Sequence, residues 1–545
     1  MQFKPSRREW GIFTVLALMI ALVWTRGMIA QPGYTDAYYH FNAANRLASG
    51  DGLTDPYLWT YINAPESLAV GEVVPSHTYW MPLTSLTLAF GMWVLNAPDN
   101  YYAAQWPFTL MLVGTACVGF WLGGKIGGSR RHAWVAGLLT LFSGFFVRFW
   151  GAADTFVPYS LVGSLALVFI GLGIESLEKS PDEARSPFRL VGHFVLAGIF
   201  TGLGHLTRAD GLLLLIVGWI VILWPFRYDR TRYIVSLQNY AISLFALSLG
   251  YLLIMSPWFL RNLDVMGSPL PVGGFQAAWF TEYNDLFSYP ADASPQIVFA
   301  DGIGLFIEAR WTALISNFGT FIAVEGLVVM APLMLIGLWN RRRGAFLRGF
   351  WLYALGLHFV MTLVFPFPGY RGGLFHSAAA LVPFWAALGV VGLDDAIDWM
   401  AKRRRAWKPR TAKPIFSVGL VLLAIFLSLN FAGNGRVSVF KPALYSQLEA
   451  VLPSDSRVMI NDPAALYYFT GLSGVVMPNE SPEVISELGQ RYNITHVLIE
   501  YSEQNGQRAY AVPSSFIFDL DTPPPYLVPV DLNISNARLY AIRPG

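Results

Sequence analysis

The chain has 545 residues, of which 54% are hydrophobic and only 13% charged, against roughly 25% charged in soluble domains. That balance, with a mean hydropathy of +0.45, excludes an ordinary soluble globular protein and points to a membrane solvent. The formal net charge of +2 gives no footing for nucleic-acid binding, and the single cysteine, Cys117, excludes an intrachain disulfide framework.

In chain order, Lys4, Arg7 and Arg8 precede an apolar run at 9–29. The run is long enough to span and no small-residue cleavage pattern follows, so it reads as a retained first helix. Further runs of spanning length lie at 103–123, 133–150, 155–175, 190–206, 210–225, 234–257, 318–338, 349–366, 374–395 and 414–431, about eleven spans in all. The stretch 77–95 is also apolar, but counting it would put Lys125, Arg130 and Arg131 outside and invert every later loop. It therefore reads as an interfacial or re-entrant helix.

With that choice the clusters Lys4/Arg7/Arg8, Lys125/Arg130/Arg131, Lys179/Arg185/Arg189, Arg227/Arg230/Arg232, Arg341/Arg342/Arg343/Arg348 and the basic residues of 402–413 share one side. The positive-inside bias makes that side cytoplasmic. The N-terminus is then cytoplasmic in a multi-pass plasma-membrane protein, and the other face receives 30–102, 151–154, 258–317, 367–373 and everything after 431.

The tail alternates helix and strand: helix at 441–452, strand at 457–461, helix at 462–470 with Asp462 as cap and Pro463 in the first turn, strand at 474–477, helix at 481–492 with Ser481 as cap, and strand at 496–501. The expected fold class is a polytopic α-helical membrane domain over 1–431 followed by a small extracytoplasmic α/β domain over 432–545.

Ionisable groups at membrane depth are expensive and therefore candidate site residues. Three acids stand near the outer face: Asp36 in Thr35-Asp36-Ala37-Tyr38-Tyr39-His40, Asp154 in the turn Ala152-Ala153-Asp154-Thr155, and Glu325 in Thr320-Phe321-Ile322-Ala323-Val324-Glu325. Each has a plain structural alternative: Asp36 and Asp154 as helix caps, Glu325 as partner of an arginine on a neighbouring helix. Basic residues on the outer face are scarce, and near membrane level they are mostly arginines, among them Arg208, Arg261 and Arg371, with His376 five residues on. A planar guanidinium suits phosphate oxygens. Equally, Arg208 has Asp210 as a neighbour to pair with, and Arg261 is placed to be an interfacial anchor.

At these residues the sequence resembles the GT-C superfamily of membrane glycosyltransferases. The motifs Thr35-Asp36-Ala37-Tyr38-Tyr39-His40, Asp55-Pro56-Tyr57 and Pro75-Ser76-His77-Thr78-Tyr79-Trp80-Met81-Pro82-Leu83 are similar to the first outer loop of oligosaccharyltransferase catalytic subunits. The segments 206–215 and 256–262 are closer to bacterial enzymes that use lipid-linked sugars. The second motif has one acid, Asp154, where the family usually has two, and the Trp-Trp-Asp acceptor motif is absent from the chain.

The resemblance implies transfer of a sugar from a polyprenyl-linked donor to a glycan, lipid or protein acceptor on the outer face, with no nucleic-acid partner. It implies Asp36, Asp154 and Glu325 as catalytic and metal-ligating residues, and Mg²⁺ or Mn²⁺ as the ion. Tyr38, His40, His77, Arg208, Arg261, Arg371 and His376 are the accompanying substrate-binding candidates. Asp36 would be the base of an inverting reaction, since a phosphate leaving group needs no second carboxylic acid. A multi-span transporter or flippase, and a non-catalytic scaffold of the same fold, are the rival readings; the large outer loops and the lack of an inverted repeat speak against the first.

Overall fold

The computed structural model describes residues 4–178, 187–224, 237–271, 273–291, 293–300, 302–404, 406–504 and 507–543. Lys179, Arg185, Arg227, Arg230 and Arg232, expected among the basic loops, lie outside them. Helix α1 (Arg7–Thr25) opens on a capping box in which Ser6 and Glu9 satisfy each other's backbone N–H groups, the reciprocal arrangement that fixes a helix start. It packs on α4 (Tyr101–Gly127), where Phe13 stacks on Phe120 at 4.5 Å.

Eight helices among the described residues are long and apolar enough to cross a membrane. They comprise α1, α4, α6 (Phe156–Leu177), α7 (Pro187–Thr207), α9 (Leu237–Met266), the segments beginning with α12 (Ala345–Phe359) and ending with α13 (Val382–Ala401), and α14 (Pro409–Asn434). The other three expected runs do not form a single long helix among the described residues. The run at 133–150 becomes a short α5 (Arg130–Leu141) and a 3₁₀ turn, because Gly144 takes φ +64°. The run at 210–225 gives the short α8 (Leu212–Leu223). The run at 318–338 contains the end of α10 (Gly304–Thr320), a π turn at Phe321–Glu325, and then α11 (Ala331–Arg341). Between the last two, Leu327 and Val328 both have positive φ, an uncommon conformation for side chains of that shape.

The ambiguous stretch 77–95 forms α3 (Leu83–Val94). Its 12 residues reach only about 18 Å, well short of a bilayer core. Phe90, Trp93 and Val94 remain exposed on it, while its other face packs on α4 and on α2 (Thr35–Ser49).

The basic residues gather at one end of the bundle, tied by ion pairs of Arg130 with Glu9 (2.8 Å), Lys125 with Glu175 (2.7 Å), Arg131 with Asp394 (2.5 Å), Arg341 with Asp395 (2.6 Å) and Lys413 with Asp398 (2.8 Å). At the opposite end lie α2, α3, the small pairing of β1 (Thr54–Asp55) with β2 (Val74–Pro75), and the C-terminal sheet.

That sheet runs β4-β3-β5-β8-β7, with β6 paired to β5. Strand β3 (Arg457–Ile460) is parallel to β4 (Ser473–Val476) and to β5 (His496–Gln504); β8 (Ala537–Ile542) is antiparallel to β5 and to β7 (Leu527–Val530), and β6 is Gln507–Tyr510. Helix α15 is Ala443–Val451. Helix α16 (Pro463–Thr470) has Asp462 as its cap, accepting from the Ala465 N–H, with Pro463 in the first turn, as its residues predict. The third helix of the tail, α17 (Val484–Arg491), starts later than expected, and Ser481 is not its cap.

The C-terminal domain is anchored on the first outer loop. Asn42 donates to the Ala464 carbonyl (2.9 Å), Thr35 to the Asp462 carboxylate (2.7 Å), and the buried Arg457 guanidinium to the carbonyls of Leu68 and Ala69 (both 2.8 Å). A buried charge held by several carbonyls loses those partners together if the loop moves, so loop and domain are coupled.

Candidate active site

Asp36 sits in the first turn of α2, where the helix dipole favours a negative charge. Tyr34, not Asp36, is the cap of that helix, and no hydrogen bond to the Asp36 carboxyl is formed among the described residues. Asp154 lies in the tight turn before α6. It does not cap α6 either: one carboxylate oxygen accepts from the adjacent Thr155 N–H (2.5 Å), and the other accepts from the Tyr34 hydroxyl (2.7 Å). His376 completes the group. Its ring stacks on Phe156 at 4.0 Å, and its Nδ1 lies 2.9 Å from the Thr155 hydroxyl and 3.5 Å from the Asp154 carboxylate.

Ligand atoms of Asp36, Asp154 and His376 all lie within 4.8 Å of one another. Burial, then the Asp154 charge, push the Asp36 carboxyl up to about 8, although Arg208 pulls it back. Burial acts on Asp154 in the same direction but is outweighed by His376, His40 and the Tyr34 and Thr155 hydrogen bonds, so Asp154 ends below the usual carboxylate range. Two carboxyls whose environments drive them apart can divide the roles of proton acceptor and fixed anion. Two carboxylates and an imidazole also form a suitable donor set for a divalent cation, and the bond-free Asp36 carboxyl leaves ligand capacity available.

Glu325 does not join this group, which corrects its expected place beside Asp36 and Asp154. Its helix starts at Gly304 rather than near 318, so Glu325 lies far down the bundle. Its carboxylate accepts from the Trp385 indole N–H (2.8 Å) and faces His358 Nε2 at 3.1 Å, while His358 Nδ1 donates to the Ala354 carbonyl (2.8 Å). Trp385 is nine residues beyond His376 on nearly continuous helix, roughly 13 Å deeper at 1.5 Å per residue. The partner is thus a histidine and an indole, not an arginine.

The other expected residues divide. Arg208 pairs with Asp210 (2.9 Å) and also donates to Ser377 (2.7 Å), which locks it beside the acids. Arg371 has no carboxylate partner among the described residues; it is exposed and lies over the Tyr283 ring at 4.6 Å. It belongs to a π turn in which Gly372 takes φ +137°, a conformation open to glycine.

Arg261 stacks on Trp258 (4.7 Å) and donates to the Ser76 carbonyl (2.6 Å), so it braces the first loop. Tyr38 faces the C-terminal domain, lining with Thr35, Tyr445 and Asp462 a cavity of about 440 Å³.

His40, one helical turn after Asp36, and His77 form a buried chain that sequence reading did not reveal. His40 Nδ1 is 2.9 Å from the Ser85 hydroxyl, which is 2.9 Å from His77 Nε2, and His77 Nδ1 is 2.7 Å from the Ser76 hydroxyl. His40 Nε2 has no hydrogen-bond partner among the described residues. Burial pushes His40 down to about 4. Ser85, Tyr34 and Thr155 were equally unforeseen, since a hydroxyl acquires such a role only through tertiary contact.

No protein-family model and no curated protein matches this chain. Solved structures do. The oligosaccharyltransferase of Archaeoglobus fulgidus in complex with Zn and sulfate aligns over 92% of this chain and 73% of its own, with a TM-score of 0.56 and 15% identity. The structure of the same organism's AglB with an inhibitory peptide and a dolichol-phosphate aligns over 93% and 75%, at 0.54 and 11%. The chain has the GT-C fold. Within that GT-C fold the cluster of Asp36, Asp154 and His376 lies at the end that carries the C-terminal domain, away from the basic end.

Proposed function

We propose that the protein is a glycosyltransferase that moves a sugar or oligosaccharide from a polyprenyl phosphate or pyrophosphate carrier to an acceptor on the extracytoplasmic face. The observation that carries this reading is the Asp36 carboxyl, without a hydrogen bond among the described residues and within 4.8 Å of the ligand atoms of Asp154 and His376. The paired basic end would face the cytoplasm, as the positive-inside bias requires, which puts the N-terminus inside and the C-terminal domain outside. The archaeal protein of the same fold was captured with a dolichol-phosphate and a peptide, which supports a prenyl-phosphate donor here.

In the proposed step Asp36 takes the proton of the acceptor nucleophile. The nucleophile forms a bond to the anomeric carbon, the bond from that carbon to the carrier phosphate oxygen breaks, and the phosphate leaves with the electron pair. Attack opposite the leaving group inverts the centre. Arg371, with its open guanidinium, is placed to take the phosphate, and Arg208 contributes fixed positive charge. Tyr34 and Thr155 hold Asp154 ionised and in place. A divalent cation held by Asp36, Asp154 and His376, Mg²⁺ or Mn²⁺ by the oxygen-rich set, would supply Lewis-acid stabilisation of the leaving phosphate. His40, His77 and Arg261 act as positioning residues for the first loop.

Transfer of label from a polyprenyl-phosphate sugar to a panel of hydroxyl and amide acceptors, in vesicles, tests the reading. Wild type should transfer and Asp36→Asn should not; inactivity of wild type across the panel would favour a transporter or a scaffold.

A further inference from the structure

At the basic end of the bundle, α11 and α12 are joined by only three residues, 342–344. They do not stay together. Helix α12 packs on α6 and α8, whereas α11 packs on α13; at that second contact a Cβ on Gly337 would stand 2.2 Å from the Leu388 carbonyl oxygen, so the helices approach backbone to backbone. The divergence leaves a cleft of about 1220 Å³.

Its apolar wall includes Leu335, Ile336 and Leu355, all exposed. Toward the helix ends stand Trp339 and Trp399, 64% and 52% exposed, residues that favour the membrane–water boundary. Two carboxylates, Asp395 and Asp398, also line it. Both are already neutralised, Asp395 by Arg341 at 2.6 Å and Asp398 by Lys413 at 2.8 Å. The cations on the rim are not: Arg342, whose guanidinium lies 3.5 Å over Trp339, and Lys402 have no carboxylate partner among the described residues.

We infer that this cleft is a binding site for an anionic glycerophospholipid of the leaflet at the basic end, separate from the carrier lipid of the proposed reaction. The acyl chains lie along Leu335, Ile336 and Leu355, and the phosphate meets Arg342 and Lys402. Charge complementarity selects this occupant. A neutral helix would leave the two cations uncompensated, and the phosphate of a zwitterionic lipid is already offset by its own ammonium, whereas an anionic head group brings the net negative charge that basic pockets between helices recognise. The guanidinium stacked on Trp339 is held for a planar contact with phosphate oxygens.

The test uses the full chain, delipidated in detergent and titrated with phosphatidylglycerol or phosphatidylcholine, with bound lipid read by native mass spectrometry and stability by thermal melting. Wild type should prefer phosphatidylglycerol, and the preference should shrink in high salt. The double variant Arg342→Gln/Lys402→Gln should bind phosphatidylglycerol more weakly by roughly fivefold for each basic residue removed. Arg343→Gln, in the same basic run but off the cleft, should behave as wild type. Equal binding of the two lipids by wild type would overturn the inference even if the double variant failed to fold. So would a double variant that keeps the full preference.

Discussion

Two groups pair an acid with a histidine away from bulk solvent, one beneath the C-terminal domain and one deep in the helix bundle. In the first, Asp36 makes no side-chain hydrogen bond among the described residues, yet Asp154 and His376 crowd it. In the second, Glu325 accepts from the Trp385 indole N–H and faces His358 at 3.1 Å, both on neighbouring helices. The difference teaches that burial of an acid does not identify a reactive one. A carboxylate held by a fixed indole donor and an adjacent imidazole contributes to packing specificity, whereas one that no fixed donor engages is available to substrate, proton or ion.

The comparison breaks most readily at Asp36. Replacing it by Asn should lower transfer by about two to four orders of magnitude, the range for loss of a general base, with melting temperature nearly unchanged. A variant with near wild-type turnover would remove Asp36 from the chemistry. Arg371→Gln should then raise the apparent KM for the carrier more than it lowers kcat, because the residue is exposed over the Tyr283 ring and has no carboxylate partner among the described residues.

Glu325→Ala is expected to behave in the opposite way. It leaves the Trp385 N–H and His358 without their partner in an apolar interior, at a cost of about 3 kcal/mol by analogy with broken buried pairs. Melting should fall sharply while the turnover of the folded fraction stays within a few fold. A large loss of turnover at unchanged melting would mean that Glu325 also acts at the site.

A smaller effect sharpens the electrostatic side. Asp55, in the first outer loop, is pushed up by burial to about 7, against the Tyr39 hydrogen bond. An acid with a raised folded value costs stability as pH rises from its unfolded value toward the folded one, and the full cost is present above that. Asp55→Asn should therefore raise the melting temperature at pH 8 more than at pH 5. Equal shifts at both pH values would mean that the residue does not titrate as a buried acid.

Sequence reading reached as far as local chemistry extends. Asp462 and Pro463 announce the start of α16 because a cap and a first-turn proline act within a few residues. The eight long spans are legible from hydropathy, and 77–95, which charge accounting keeps from counting as a full span, holds a helix of only 12 residues. The interrupted runs are not legible. Apolar composition continues through Gly144 and through Leu327 and Val328, while the backbone turns there under tertiary packing.

Glu325 illustrates the consequence. Its depth depends on where α10 begins, and the amphipathic residues before 318 conceal a helix start at Gly304. At the acid cluster the sequence marked Asp36, Asp154 and His376 through their rarity near the outer face. It assigned His376 to substrate binding, since only the fold brings that ring against Phe156 and Thr155.

The most direct measurement sets Asp36→Asn and Glu325→Gln side by side in one reconstituted transfer assay, with turnover normalised to folded protein. The account predicts that Asp36→Asn abolishes transfer and Glu325→Gln retains it. Retained transfer in Asp36→Asn with loss in Glu325→Gln would contradict the account and move the chemistry to the deeper pair.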